Sequence, residues 1–130
     1  MQVIGIGVDL VDVPRLGETL RRHSDRFVNR IYTEAEADYC RRGGRPLERF
    51  AARFAAKEAV MKALGTGWEK GVGFRDIEVV RGSSGQPGIR LQGEARRQAE
   101  SIGVRRIDLS LSHTSAGAVA MVILQGEEAT

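Results

Sequence analysis

Residues 49–67 read Arg-Phe-Ala-Ala-Arg-Phe-Ala-Ala-Lys-Glu-Ala-Val-Met-Lys-Ala-Leu-Gly-Thr-Gly, a run helical in period that carries charge where a helix normally hides apolar groups. At about 100° per residue, Leu47, Phe50, Phe54, Met61 and Leu64 fall on one sector, with Ala51, Ala55, Glu58 and Lys62 at its edge. Pro46 and Glu48 suit a first helical turn and Gly65 suits a stop just past Leu64, so the spacing predicts a helix over about residues 46–64. Glu58 and Lys62 stand i, i+4, which in an ordinary helix means an ion pair of about 0.3–0.5 kcal/mol. The context allows more. Ala51 and Ala55 leave space beside Glu58, and Gly65-Thr66-Gly67 ends the helix in a loop whose bare backbone could meet a phosphate.

A chain of 130 residues with 42% hydrophobic content has the size of one globular domain with its own core. No apolar run approaches membrane-spanning length and the first residues lack a secretory pattern, so a cytoplasmic protein without membrane contact is expected. The single cysteine, Cys40, can form no internal disulfide and reads as an idle thiol. Arg15, Arg21, Arg22, Arg26 and Arg30 crowd one short region, which favours an anionic partner. Aromatic residues make up only 5% of the chain and none interleave with this cluster as a base-stacking surface would require, so nucleic acid is not the expected partner; an acidic protein or a phosphate ligand fits the cluster as well.

Residues 3–11 read as a buried strand with Ile4, Ile6, Val8 and Leu10 on one face and Gly5, Gly7 and Asp9 on the other. Asp9 either caps the next segment or binds a cation or ligand approaching the glycine-lined face. Asp12 with Pro14 opens a helix over about residues 15–23, after which Phe27 and Ile31 offer apolar contacts; Thr33-Glu-Ala-Glu36 is a capping box for a helix to about Arg42. Residues 65–73, with four glycines, read as a loop. Residues 74–81 and 89–91 pattern as a hairpin, 93–103 as a short helix, and 106–113 and 117–124 as strands, with 125–130 fraying. His113 closes the first of these last strands in phase with Ile107, Leu109 and Leu111, which suits a hydrogen-bonded core histidine as well as proton transfer or phosphate contact. It cannot form a hydrolase dyad with Ser112, because strand neighbours point to opposite faces.

Three segments in this order resemble a known family. Gly7-Val-Asp9 followed by Arg15 fits Gly-x-Asp-x5-Arg, Phe54-Ala-Ala-Lys57-Glu58-Ala59 with Lys62 fits Phe-x-x-Lys-Glu-Ala-x-x-Lys, and Ser110-Leu-Ser-His113 matches a third. The set resembles the 4'-phosphopantetheinyl transferases, and the short length points to their holo-acyl-carrier-protein synthase branch. The resemblance spans nearly the whole chain and includes Gly65-Thr66-Gly67 and Gly85-x-Pro87.

The resemblance implies an α+β fold, an antiparallel sheet packed with helices, assembled as a homotrimer whose active sites lie between protomers. It implies transfer of the phosphopantetheine of coenzyme A, the substrate, to a serine of an acyl carrier protein, with release of adenosine 3',5'-bisphosphate. Asp9 and Glu58 carry over as Mg²⁺ ligands, in keeping with that ion's preference for a few carboxylates plus phosphate oxygens and water. Lys62 suits a pyrophosphate oxygen, with Gly65 and Thr66 in the adjoining loop, while Arg53 and His113 suit the nucleotide's other phosphate. Glu58, His113 and a metal-held water are all open as the base, with Glu58 or its water ranked first. Many relatives carry Asp after the histidine; this chain has Thr114, which argues against a mechanism through a His–Asp pair. Arg15, Arg22 and Arg26 would meet the carboxylates of an acidic carrier, with Phe27 as apolar anchor. A nucleotide- or RNA-binding module and a scaffold without turnover remain the alternatives.

Overall fold

The computed structural model describes residues 1–65 and 71–127. Strand β1 (Gln2–Asp12) pairs antiparallel with β5 (Gly117–Gly126), and β5 with β4 (Val104–His113), giving a sheet of order β1-β5-β4. Helix α3 (Pro46–Leu64), with the expected boundaries, lies across β1 and β5. Two glycines decide which side of β1 it covers. A Cβ on Gly7 would stand 1.9 Å from the carbonyl oxygen of Ala59, and one on Gly5 2.3 Å from that of Ala63, so only glycine admits the helix backbone this close. The helix answers with small residues. Ala51, Ala55 and Ala59 are fully buried, packed with Ala118, Ala120, Val122 and Leu124 of β5 in the same core.

This arrangement reverses one expectation. Ile6, Val8 and Leu10 do share a face, but it is the outer one, and they are 63%, 53% and 76% exposed. The helix has taken the glycine-lined face, and the apolar face looks outward, continued by Met121 opposite Val8 and Val119 opposite Leu10. Ile4 escapes this because the register shifts between Val3 and Gly5 and lets it pack against the core.

Helix α1 (Val13–Ile31) opens as expected: the Asp12 side chain accepts from the Arg15 N–H at 2.9 Å and Pro14 occupies the first turn. The helical geometry breaks at Ser24 (φ 37°), next to the predicted end at His23, but the chain then resumes as helix and brings Phe27, Val28 and Ile31 onto the core. Helix α2 (Glu34–Arg42) starts with the predicted capping box between Thr33 and Glu36.

Glu36 does more than cap. Its Oε1 also accepts from Lys57 Nζ at 2.7 Å and its Oε2 from the Val79 N–H at 2.8 Å, so one buried carboxylate ties α2 to α3 and to β2 (Ile77–Arg81). Lys57 is fully buried and also donates to the carbonyls of Phe74 and Ile77. Burial pushes its ammonium below the ordinary lysine range, with Glu36 opposing. Residues 74–76, predicted as strand, form a 3₁₀ turn before β2, which pairs with β3 (Pro87–Leu91) as a hairpin hydrogen-bonded separately from the main sheet. Helix α4 (Gly93–Ser101) precedes β4, and Gln125 and Gly126, expected to fray, pair with β1. Among the described residues no helix is long and apolar enough to cross a membrane.

Candidate active site

Asp9 lies on the glycine face of β1, so its carboxylate meets α3, and Glu58 and Lys62 are one helical turn apart on the side of α3 nearest to it. Lys62 Nζ donates to Asp9 Oδ1 at 2.8 Å and to the Val8 carbonyl at 3.1 Å. Burial raises the carboxyl pKa of Glu58, the Asp9 charge adds to the rise, and Lys62 opposes it. Asp9 and Glu58 share a cavity of about 370 Å³ whose lining also includes Asp12, Arg15, Phe27 and Phe54. Phe27 and Phe54, ring centroids 6.0 Å apart, make its apolar wall, and Arg15 gives it a cation.

The donor set is hard oxygen: the carboxylates of Asp9 and Glu58, with the Val8 backbone carbonyl alongside and the Lys62 ammonium already drawn to Asp9. A small divalent cation fits it, because its charge would offset the Asp9 charge that adds to the effect of burial on Glu58, and such ions take few protein carboxylates and complete their shells with water and phosphate. Among the described residues no cluster of three or more His, Cys, Asp or Glu side chains is placed to hold a metal.

A second cavity, about 410 Å³, lies on another side of α3 and has the opposite character. Arg45, Arg49, Arg53, Arg81 and His113 line it, around the ring of Tyr39. The Arg53, Arg49 and Arg81 guanidiniums sit 4.2, 4.7 and 5.1 Å from the Tyr39 ring centroid, and Arg81 also hydrogen-bonds its hydroxyl. Arg53 is 5% exposed, and its buried Nε has no hydrogen-bond partner among the described residues. Four guanidiniums turned toward one cleft, one of them with an unsatisfied buried donor, suit an anion with several acceptor oxygens. Gly85 (φ 88°) and Pro87 bring the β2–β3 turn to its mouth. His113 Nδ1 is 2.9 Å from Glu48 Oε1.

The residues singled out in the sequence are thus divided between two places. Asp9, Glu58, Arg15 and Phe27 meet at the first cavity, with Lys62 at its edge; Arg53 and His113 meet at the second; the two share no lining residue among those described. Arg22 and Arg26 are exposed on α1 and line neither. Gly65 ends α3 in the left-handed conformation (φ 72°), while Thr66 lies outside the described residues. Sequence reasoning missed Arg45, Arg49, Arg81, Tyr39 and Glu48. A signal for two of them was present, since Arg45, Arg49 and Arg53 recur every four residues; Arg49 and Arg53 share one side of α3 and Arg45 is its N-cap residue.

The chain is similar to known proteins over nearly its full length. A holo-(acyl-carrier-protein) synthase of Koribacter versatilis is 50% identical over 123 residues, 95% of this chain and 98% of that protein. Among solved structures, a holo-(acyl-carrier-protein) synthase from Neisseria meningitidis superposes with a TM-score of 0.86 at 34% identity, covering 95% of this chain and 99% of that one. One from Bacillus anthracis, in complex with CoA (3',5'-ADP), gives a TM-score of 0.78 at 36% identity over 98% and 100%. The 4'-phosphopantetheinyl transferase superfamily model matches residues 5–121, a span that takes in the motifs, both cavities and the helix between them; this chain belongs to that superfamily.

Proposed function

We propose that this chain transfers the 4'-phosphopantetheine group of coenzyme A to a serine of an apo acyl carrier protein, with Mg²⁺, and releases adenosine 3',5'-bisphosphate. The observation that carries this reading is the pairing of a cavity that holds the Asp9 and Glu58 carboxylates with a cleft of arginines in a chain half identical to a holo-(acyl-carrier-protein) synthase. Asp9 and Glu58 would hold the Mg²⁺, which would supply charge neutralisation at the pyrophosphate as negative charge moves to the leaving phosphate.

The chain's own groups do the rest. Lys62, already exposed beside Asp9, reaches a pyrophosphate oxygen. Arg53 and His113 take the nucleotide's other phosphate, where the buried Nε of Arg53 finds its acceptor. The carrier serine oxygen bonds to the phosphorus bearing pantetheine, the bond from that phosphorus to the adenosine phosphate breaks, and the electron pair leaves on that phosphate. The serine proton goes to Glu58 or to a water it holds.

Arg15, with Arg22 and Arg26 further along α1, meets the acidic surface around the carrier serine, and Phe27 gives an apolar seat. The outward apolar face of Ile6, Val8 and Leu10 supports a homotrimer, and the separation of the two cavities supports sites completed between protomers. The reading places the chain in the cytoplasm, serving carriers of fatty acid biosynthesis.

The test incubates the protein with coenzyme A, Mg²⁺ and an apo carrier and follows the carrier's mass. A gain of one phosphopantetheine is expected, with an apparent affinity for carrier that falls steeply with salt and one for coenzyme A that does not. No gain across several carriers, or full activity in both Asp9→Asn and Glu58→Gln, would sink the reading.

A further inference from the structure

Glu48 has no task in the reaction as described, yet it is one of the few carboxylates the fold encloses. It stands in the first turn of α3, where the helix dipole favours a negative charge, and its side chain is 11% exposed. Its Oε1 lies 2.9 Å from Nδ1 of His113, 65 residues away at the end of β4. A glutamate carboxylate offers only acceptors, so the Nδ1 of His113 bears the proton and Nε2 is the ring nitrogen left for the arginine cleft that His113 lines. The neighbour Thr114 does not compete for this role: its hydroxyl accepts from the N–H groups of Ala116 and Gly117 and closes the β4–β5 turn.

We infer that Glu48 is the positioning residue of His113, fixing the Nδ1–H tautomer and the ring orientation so that Nε2 meets the nucleotide phosphate that Arg53 also contacts. The inference rests on the transferase reading for the identity of that phosphate, but not for the pairing itself. With Nδ1–H held by Glu48, a proton taken up on Nε2 lets the ring donate to a phosphate oxygen while its charge is bracketed by two anions. The carboxylate that orients the histidine therefore comes from α3, the helix that also carries Arg53 and Glu58.

Two measurements test this on the full chain. Long-range ¹H–¹⁵N spectra at about pH 8, above the ordinary histidine range, report the neutral tautomer, with His23→Gln removing the other histidine. The Nδ1–H form is expected at His113 in the wild type and in Glu48→Gln, whose amide oxygen still accepts, and its loss is expected in Glu48→Ala. In kinetics, Glu48→Ala should raise KM for coenzyme A about tenfold with kcat within about twofold, while leaving KM unchanged for dephospho-coenzyme A, which lacks the 3'-phosphate; Glu48→Gln, which keeps the acceptor but not the charge, should recover part of that rise. An Nε2–H tautomer in the wild type overturns the inference, as does an equal rise of both KM values in Glu48→Ala. If Glu48→Ala does not fold, the wild-type and Glu48→Gln spectra decide the pairing. A wild type that transfers nothing from coenzyme A defeats the transferase reading instead, and the spectrum still decides whether Glu48 holds His113.

Discussion

Lys62 Nζ is bound to Asp9 Oδ1 at 2.8 Å, across from α3 to β1, rather than to Glu58 one turn back on its own helix. The two side chains are 54% and 15% exposed. An ion pair wetted to that degree contributes about 0–1 kcal/mol to stability. Lys62→Ala should therefore shift the urea unfolding free energy by less than about 1 kcal/mol, while the proposed contact with the pyrophosphate predicts a fall of about 10²-fold in kcat/KM for coenzyme A. A variant that loses stability but keeps its activity would return Lys62 to a structural role.

Glu58 should show the reverse balance. Burial and the Asp9 charge raise its folded pKa above the ordinary glutamate value of 4.5. The folded state then holds a proton more tightly than the unfolded chain, so the carboxylate costs stability at every pH above its folded pKa and costs nothing well below 4.5, where both states are protonated. In metal-free buffer, Glu58→Gln is expected to raise Tm at pH 7–8 and to leave it near the wild type at pH 3, while lowering kcat by roughly 10²-fold or more with Mg²⁺ and carrier present. Equal Tm at neutral pH would show that Glu58 carries no such strain.

What the sequence disclosed follows from the range of each interaction. Pro46 and Gly65 mark the ends of α3, and Thr33 with Glu36 marks the start of α2, because caps are local chemistry. The two faces of β1 were legible from alternation, but not which one is covered. That depends on α3 fitting its alanines against Gly5 and Gly7, a match between segments more than 50 residues apart. Glu58 does line a cavity, but not through Ala51 and Ala55, which are fully buried; the strand pattern singled out Asp9, and motif resemblance joined it to Glu58. Glu48 with His113, Glu36 with Lys57, and Arg81 with Tyr39 join distant segments and leave no periodic trace.

The Glu36–Lys57 pair predicts a stability effect unlike that of a simple buried salt bridge. Lys57→Met leaves the Glu36 carboxylate enclosed without its cation and strips the Phe74 and Ile77 carbonyls of a donor, so a loss of about 3–5 kcal/mol is expected in urea unfolding. An apolar replacement of both partners often recovers such a loss, but here Glu36 also accepts from the N–H groups of Thr33 and Val79. Glu36→Leu combined with Lys57→Met should stay well below the wild type. Recovery to wild-type stability would mean those two backbone hydrogen bonds contribute little.

The outward apolar face and the divided cavities make one joint prediction about assembly. Leu10 is 76% exposed and sits beside Val119 and Met121 on a face rich in apolar side chains. If copies of the chain meet there, Leu10→Asp places a charge in each contact and should reduce the solution mass from three chains to one, with loss of transfer activity. Monomerisation alone does not show that sites are shared, so a second measurement is needed. Glu58→Gln disables the carboxylate cavity and Arg53→Ala the arginine cleft, and each variant alone should be nearly inactive. When the two are unfolded, mixed equally and refolded, a site built from the carboxylate half of one copy and the arginine half of its neighbour is intact in about a quarter of cases by random assembly. Recovery toward about a quarter of wild-type activity is the expected result. No recovery in mixtures shown by mass to contain both chains would mean that each chain works alone, and the apolar face would then need another explanation.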